Sequence, residues 1–91
     1  MQRCRGLEEC RERLLELLDS MHPWCRSAFY ADRDVARLVS TLYSRWEEAG
    51  RSGEPVDYAS LDELRMLLER ADRYSRLPPW QALRMALEGR G

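Results

Sequence analysis

Four side chains that can bind a soft metal or attack an electrophile stand near the start of this chain: Cys4, Cys10, His22 and Cys25. All are ligand types that zinc prefers, but structural zinc sites bring their ligands in close pairs on turns. Cys4 and Cys10 are six positions apart, and only His22-Pro23-Trp24-Cys25 has the form of a paired knuckle. Cys10 also falls in an apolar stripe, where a free cysteine behaves as a small hydrophobe. Metal or redox sensing by these four residues therefore stands as an alternative, and no cofactor is expected.

Asp19, His22 and Cys25 can also be read as orienter, base and nucleophile. Pro23 breaks the helical face that would align them, and a chain this small offers little concavity for a reaction centre. The expectation is a protein without enzymatic activity. An odd cysteine count fits free thiols better than an even disulfide framework. With a charged N-terminus, Met1-Gln2-Arg3-Cys4-Arg5, and no long apolar run, that reading places the chain in the cytoplasm.

The segment from Arg73 to Arg84 outlines two helices about a tight turn at Pro78-Pro79, a loose helix-turn-helix form in which Arg73, Arg76 and Arg84 can meet phosphate. The charge balance argues against it. Fifteen basic residues, all arginine, oppose sixteen acids for a net charge of −1, and both signs are interspersed along the chain. Without a basic stripe, long-range attraction to a polyanion has no source. Nucleic-acid binding is kept as an alternative only.

Trp24, Phe29 and Tyr30 cluster in a connection where no helix face accounts for their burial. Such aromatics either plug the end of a bundle or anchor a protein interface. Leu15 and Leu18 widen the apolar band of the first helix beyond what one neighbour needs. These five residues are the candidate partner-binding set, the partner being another protein or a second copy of the chain.

The elements that must position these groups follow from period and punctuation. Leu7, Cys10, Leu14, Leu17 and Met21 step by three and four and predict a helix over 7–21, which Pro23 ends. A single helical turn is expected over about 23–30, starting at Pro23 as a first-turn residue. Asp32 or Asp34 can cap a second long helix carrying Val35, Leu38, Val39, Leu42 and Trp46, with Tyr43 beside them, closed by Gly50 as the residue after its end. Gly50 to Asp57 reads as a loop. Ser60 and Glu63 form a capping box ahead of a helix over 61–76. Pro79 opens a fourth helix whose Trp80, Leu83 and Leu87 make one apolar face before Gly89, so that Tyr43, Trp46 and Trp80 are expected in the core.

At 91 residues, with 44% hydrophobic and 34% charged content, the chain is one ordered domain that hides roughly 60 to 65% of its unfolded surface. The predicted fold is all-α: a small bundle of three long-to-medium helices plus a short C-terminal helix, packed as two antiparallel pairs or as a three-helix core with the last helix laid across it. The expected role is that of a helical protein–protein interaction module, regulatory or assembling, acting through an apolar helix face and the Trp24 to Tyr30 aromatics.

Overall fold

The computed structural model describes residues 4–88 and contains five α-helices, with no strand among the described residues. They are α1 (Leu7–Ser20), α2 (Pro23–Ala31), α3 (Arg33–Glu48), α4 (Leu61–Ser75) and α5 (Pro79–Leu87), with a 3₁₀ turn at Pro55–Tyr58 between α3 and α4. No helix among the described residues is long and apolar enough to cross a membrane. Gly89, expected to end the last helix, and the first three residues of the charged N-terminus lie outside the described residues.

Local chemistry sets most boundaries. The Ser60 hydroxyl accepts from the Glu63 N–H at 3.2 Å while a Glu63 carboxylate oxygen accepts from the Ser60 N–H at 2.8 Å, completing the capping box at the start of α4. Helix α3 ends in two back-bonds, Arg51 N–H to Trp46 C=O at 2.9 Å and Gly50 N–H to Glu47 C=O at 3.0 Å. The reversal requires the left-handed φ of +81° that Gly50 adopts without strain. Pro23 and Pro79 both occupy first-turn positions.

Residues 23–31 form a full nine-residue helix and not the single turn expected from so short a span. Two capping interactions sustain it. The His22 Nδ1 accepts from the Trp24 N–H at 3.1 Å, and the far end is closed by the Asp32 N–H, which donates to the carbonyls of Ala28 and Phe29 at 3.1 Å each. Within it Cys25, Ala28 and Phe29, at i, i+3 and i+4, face the core.

The main packing pairs are α1 with α4 and α2 with α5, with α2 also crossing α4 and α3 resting on the 3₁₀ turn and α2. Helices consecutive in sequence are thus not the principal partners, contrary to the expected pairing. The extents are 38 × 28 × 18 Å, and the shortest accommodates no more than two layers of helices about 10 Å across. One core holds Cys10 and Leu14 of α1, Phe29 of α2, Val35, Leu38 and Leu42 of α3, Leu64, Leu67, Leu68 and Ala71 of α4, and Ala82 of α5.

The joint between α2 and α3 is a single residue. Asp32, 2% exposed, accepts from the N–H groups of Asp34 and Val35 at 3.0 and 3.2 Å, from the Tyr74 hydroxyl at 2.7 Å, and from Arg70 at 2.9 and 3.0 Å. Arg70 reaches on to Asp34 at 2.8 Å. One carboxylate therefore closes α2, opens α3 and fastens both to α4.

Three further expectations fail. Tyr43 and Trp80, placed in the core by periodicity, are 50% and 59% exposed. In α5 the fold buries Ala82, with Met85 and Ala86 partly covered beside it, so the bulkier Trp80–Leu87 side faces outward. Cys4 and Cys10 are not free thiols but a disulfide, with Cα atoms 5.2 Å apart, because the chain turns back at Gly6 to bring Cys4 over the first turn of α1. The inference of a reducing compartment from an odd cysteine count loses its basis, since such bridges persist in oxidising surroundings.

Replacing Asp32 by Ala removes a cap and strands Tyr74 and Arg70, and should lower unfolding free energy by about 3 kcal/mol in a urea titration, against about 1 kcal/mol for Tyr74→Phe. Equal effects from the two changes would contradict the central role of the carboxylate. Opening the Cys4–Cys10 bridge with a reductant should lower stability by about 2 kcal/mol through the freed loop, a loss that the Cys4→Ser/Cys10→Ser double variant does not show on further reduction.

Candidate functional site

Where α1 and α3 diverge across α2, the two-layer arrangement leaves an apolar groove with a volume near 480 Å³. This is within the size range of binding pockets. Its floor is the core itself: Leu14 of α1, Phe29 of α2, Leu42 of α3 and Leu67 of α4. Leu18 and Val39, half-buried, line it further, and Pro55 and Val56 of the 3₁₀ turn supply another wall. Leu15, Tyr30 and Tyr43 stand on the lip at 44, 47 and 50% exposure. Glu54 is the one charged side chain lining it.

Four of the five residues singled out for partner binding, Leu15, Leu18, Phe29 and Tyr30, converge here. Phe29 is 1% exposed and serves as floor, so an incoming group would meet it only at the bottom of the groove. The fifth, Trp24, is 43% exposed elsewhere on α2, where its ring meets His22 edge to face. Periodicity had placed Tyr43 in the core and given Pro55 and Val56 no role. The width of the apolar band on α3, from Val39 to Tyr43 to Trp46, was the available signal for Tyr43.

The groove wall formed by the 3₁₀ turn is braced from three helices. Arg45 of α3 holds Glu63 of α4 bidentately at 2.7 and 3.1 Å and also donates to the Tyr58 carbonyl at 3.0 Å. Arg11 of α1 pairs with Asp57. The Trp46 indole N–H donates to the Gly53 carbonyl at 2.9 Å, and the Arg51 guanidinium lies 5.7 Å over the same ring. Gly53 is required by its φ of +73° and by Asp57, whose carboxylate oxygen would lie 2.8 Å from an added Cβ.

The other candidate sets do not assemble. Cys25 is buried with its thiol directed at the Leu77 carbonyl, 3.6 Å away, and burial pushes its pKa up, the reverse of a reactive thiolate. His22 is exposed and its Nδ1 is occupied as a helix cap. Cys4 and Cys10 are bonded to each other, and no cluster of three or more His, Cys, Asp or Glu able to hold a metal occurs among the described residues. Of the arginines assigned to phosphate, Arg73 pairs with Glu69 at 3.3 Å and Arg76 with Asp72 at 3.1 Å, so each carries a carboxylate beside it, while Arg84 is exposed on α5. A further arginine with no signal in the sequence, Arg26 of α2, caps the end of α1 by donating to the carbonyls of Leu18 and Met21 at 2.9 and 3.2 Å.

No family model matches the chain, and no curated protein or solved structure matches it either.

The braces dictate a pH profile. Arg45, seconded by the Ser60 N–H, holds the Glu63 carboxyl down at about 2, and the Glu54 N–H and Arg11 lower Asp57. Burial opposes ionisation of Asp32, but the Tyr74 hydroxyl, the Val35 N–H and Arg70 outweigh it and leave that carboxyl below its ordinary range. Glu63 stabilises the fold fully above about pH 4.5 and loses its contribution as pH falls toward 2, and Asp57 and Asp32 lose theirs as pH falls below the ordinary aspartate range. Tyr74, raised to about 12 by burial and by its bond to Asp32, contributes below about pH 10 and is lost as pH climbs toward 12. Thermal midpoints should form a plateau from about pH 5 to 8.5 with a shoulder on each side, and Tyr74→Phe should shrink the alkaline shoulder to the part owed to the buried Cys25 thiol while also weakening the Asp32 share of the acid limb. An acid limb that survives in Glu63→Gln/Asp32→Asn unchanged would refute the assignment.

Proposed function

We propose that this chain is a non-enzymatic helical interaction module, and that it works by seating the apolar face of a helix in the groove between α1 and α3. The observation that carries the reading is the groove: apolar throughout except at Glu54, floored by core residues, and edged by the exposed Leu15, Tyr30 and Tyr43. Helix-in-groove recognition needs such a lining, with pockets for anchors at i, i+3 or i+4, and i+7. Its wall is held by ion pairs and by Trp46, so the site is formed before an occupant arrives and little ordering entropy opposes binding. Large apolar side chains left on a lip are also the kind that mark interaction sites on soluble domains. A regulatory or assembling role follows from docking of this kind, because the occupant contacts three helices at once and alters how firmly they are held together.

Charge defines the helix that fits. On α1 the positions just outside Leu15 are Glu12 and Asp19, and on α3 the position just outside Tyr43 is Glu47, whereas Glu8 lines a separate cavity with Arg11 and Asp57. Glu8 and Glu12 both act on Arg11, which Asp57 already neutralises. Glu54 adds a carboxylate to the lining, and the nearby cation Arg26 is turned onto the Leu18 and Asp19 carbonyls, so acids predominate at the rim and the preferred occupant is an amphipathic helix with arginine or lysine flanking its apolar anchors.

A synthetic amphipathic peptide with Trp and Leu anchors seven positions apart and arginines between them should shift the amide resonances of Leu15, Val39, Tyr43 and Val56 on titration. Leu15→Glu and Tyr43→Ser, both at exposed positions, should weaken it at least tenfold, and an acidic version of the peptide should not bind. Shifts confined to α4 and α5, or affinity indifferent to Leu15→Glu, would end this reading.

A further inference from the structure

Helix α5 has two apolar faces, and the fold uses the smaller. Ala82 is fully buried, and Met85 and Ala86 pack beside it against the core. On the opposite side Trp80, Leu83 and Leu87 repeat at i, i+3 and i+7, with Trp80 59% and Leu87 78% exposed. Arg84 falls within that outer face, four positions after Trp80, and has no ion-pair partner among the described residues. An outward stripe of two large anchors with a cation between them is the counterpart of an apolar groove with an acidic rim.

We propose that the groove of one copy receives the outer face of α5 from a second copy, with Trp80 and Leu87 seated over the apolar floor and Arg84 against the rim carboxylates. The proposal rests on the groove reading above and adds the identity of the occupant. The stripe cannot serve its own groove. Helix α5 is fixed to α2 by its Ala82 side, which points the Trp80 side away from the core that floors the cavity. Charge together with exposed anchors selects this segment, since Arg33 and Arg37 also form no salt bridge among the described residues but have no large apolar side chain one turn before and after them on α3. Arg73 and Arg76 are already paired with Glu69 and Asp72, whereas Arg84 is not, and none of Glu12, Asp19 and Glu47 forms a salt bridge with another described residue. The recognition is that of an amphipathic helix laid in a groove by anchors one and two turns apart. Each contact joins two different surfaces, groove and stripe, so copies associate into open chains or a closed ring and not through one self-matching patch.

This geometry makes a complementation test possible. Sedimentation of the wild type should show average mass rising above 10.8 kDa with concentration. Leu15→Glu disables the groove and Trp80→Glu disables the stripe, and each variant alone should remain at the monomer mass with unchanged helical circular dichroism, since both positions are exposed. Mixed one to one, they should form a dimer, because the intact groove of Trp80→Glu meets the intact stripe of Leu15→Glu. Arg84→Glu should weaken self-association at least tenfold without changing thermal stability. A wild type that stays monomeric up to about 1 mM, or variants that still associate alone, would overturn the proposal, as would a mixture that stays monomeric although the wild type associates. If the wild type is monomeric but the basic peptide still enters the groove, the occupant is wrong and the docking site is right. If the peptide also fails, the groove reading falls with it.

Discussion

The Asp32 carboxylate is the constraint on which the rest of the molecule depends. No loop separates α2 from α3, so the angle between them is set by a single residue whose N–H closes one helix and whose side chain opens the next. Burying a carboxylate is expensive unless its oxygens are fully satisfied. Here two backbone N–H groups, a tyrosine hydroxyl and a guanidinium meet them, and the last two come from α4. The interaction fixes how α2 and α3 diverge over α4, and the groove is the space they leave. Phe29 and Tyr30 reach it from just before Asp32, and Val39 from two turns after. The corner and the site are therefore one construction.

Size explains why the gap is not filled. A chain of this length can build only two layers of helix, and the wide apolar band of α1 exceeds what α4 alone can cover. Instead of another helix, the fold sets a 3₁₀ turn on α3, facing the band across the groove. A turn has too few apolar side chains to hold itself down, so it is pinned by charge: Arg45 with Glu63, Arg11 with Asp57. Isolated surface pairs contribute little. Arg45 is different in geometry, forking onto one carboxylate and adding a carbonyl, so that three segments lose freedom together.

Helix ends were the legible part of the sequence, because caps are local. Ser60 with Glu63, Asp32, Gly50, Pro23 and Pro79 mark termini where the structure has them, since each answers to the unsatisfied groups of one helix end and to nothing distant. Which side of an apolar stripe is buried is decided by the neighbour, and the sequence of one helix does not contain it. In α5 the rule of larger residues inward fails. It packs on α2, whose buried positions include the small Cys25 and Ala28, and a close approach of two helices favours a small residue such as Ala82 at the contact. The disulfide was hidden for the same reason. Cys10 has the spacing of a core residue and is one, and only the turn at Gly6 brings Cys4 to it. Of the candidate site, the excess width of α1 and the aromatics at the end of α2 were visible, but not the 3₁₀ turn that walls it.

A groove floored by Leu14, Phe29, Leu42 and Leu67 has no boundary between site and core. An apolar side chain entering it extends the same cluster that holds α1, α2, α3 and α4 together, and so binds the folded state alone. Occupancy then adds to unfolding free energy by mass action, about 2.7 kcal/mol at a hundred times the dissociation constant. For a domain whose own stability is of order 5 to 14 kcal/mol, that is a substantial fraction. The same reasoning gives the acidic rim a second consequence. Exposed Leu15, Tyr30 and Tyr43 would by themselves accept many apolar surfaces, and if the groove docks a helix, carboxylates beside them would disfavour an acidic one relative to a basic one. On the proposed reading, selectivity and stability would come from one arrangement: an apolar groove continuous with the core and bordered by carboxylates.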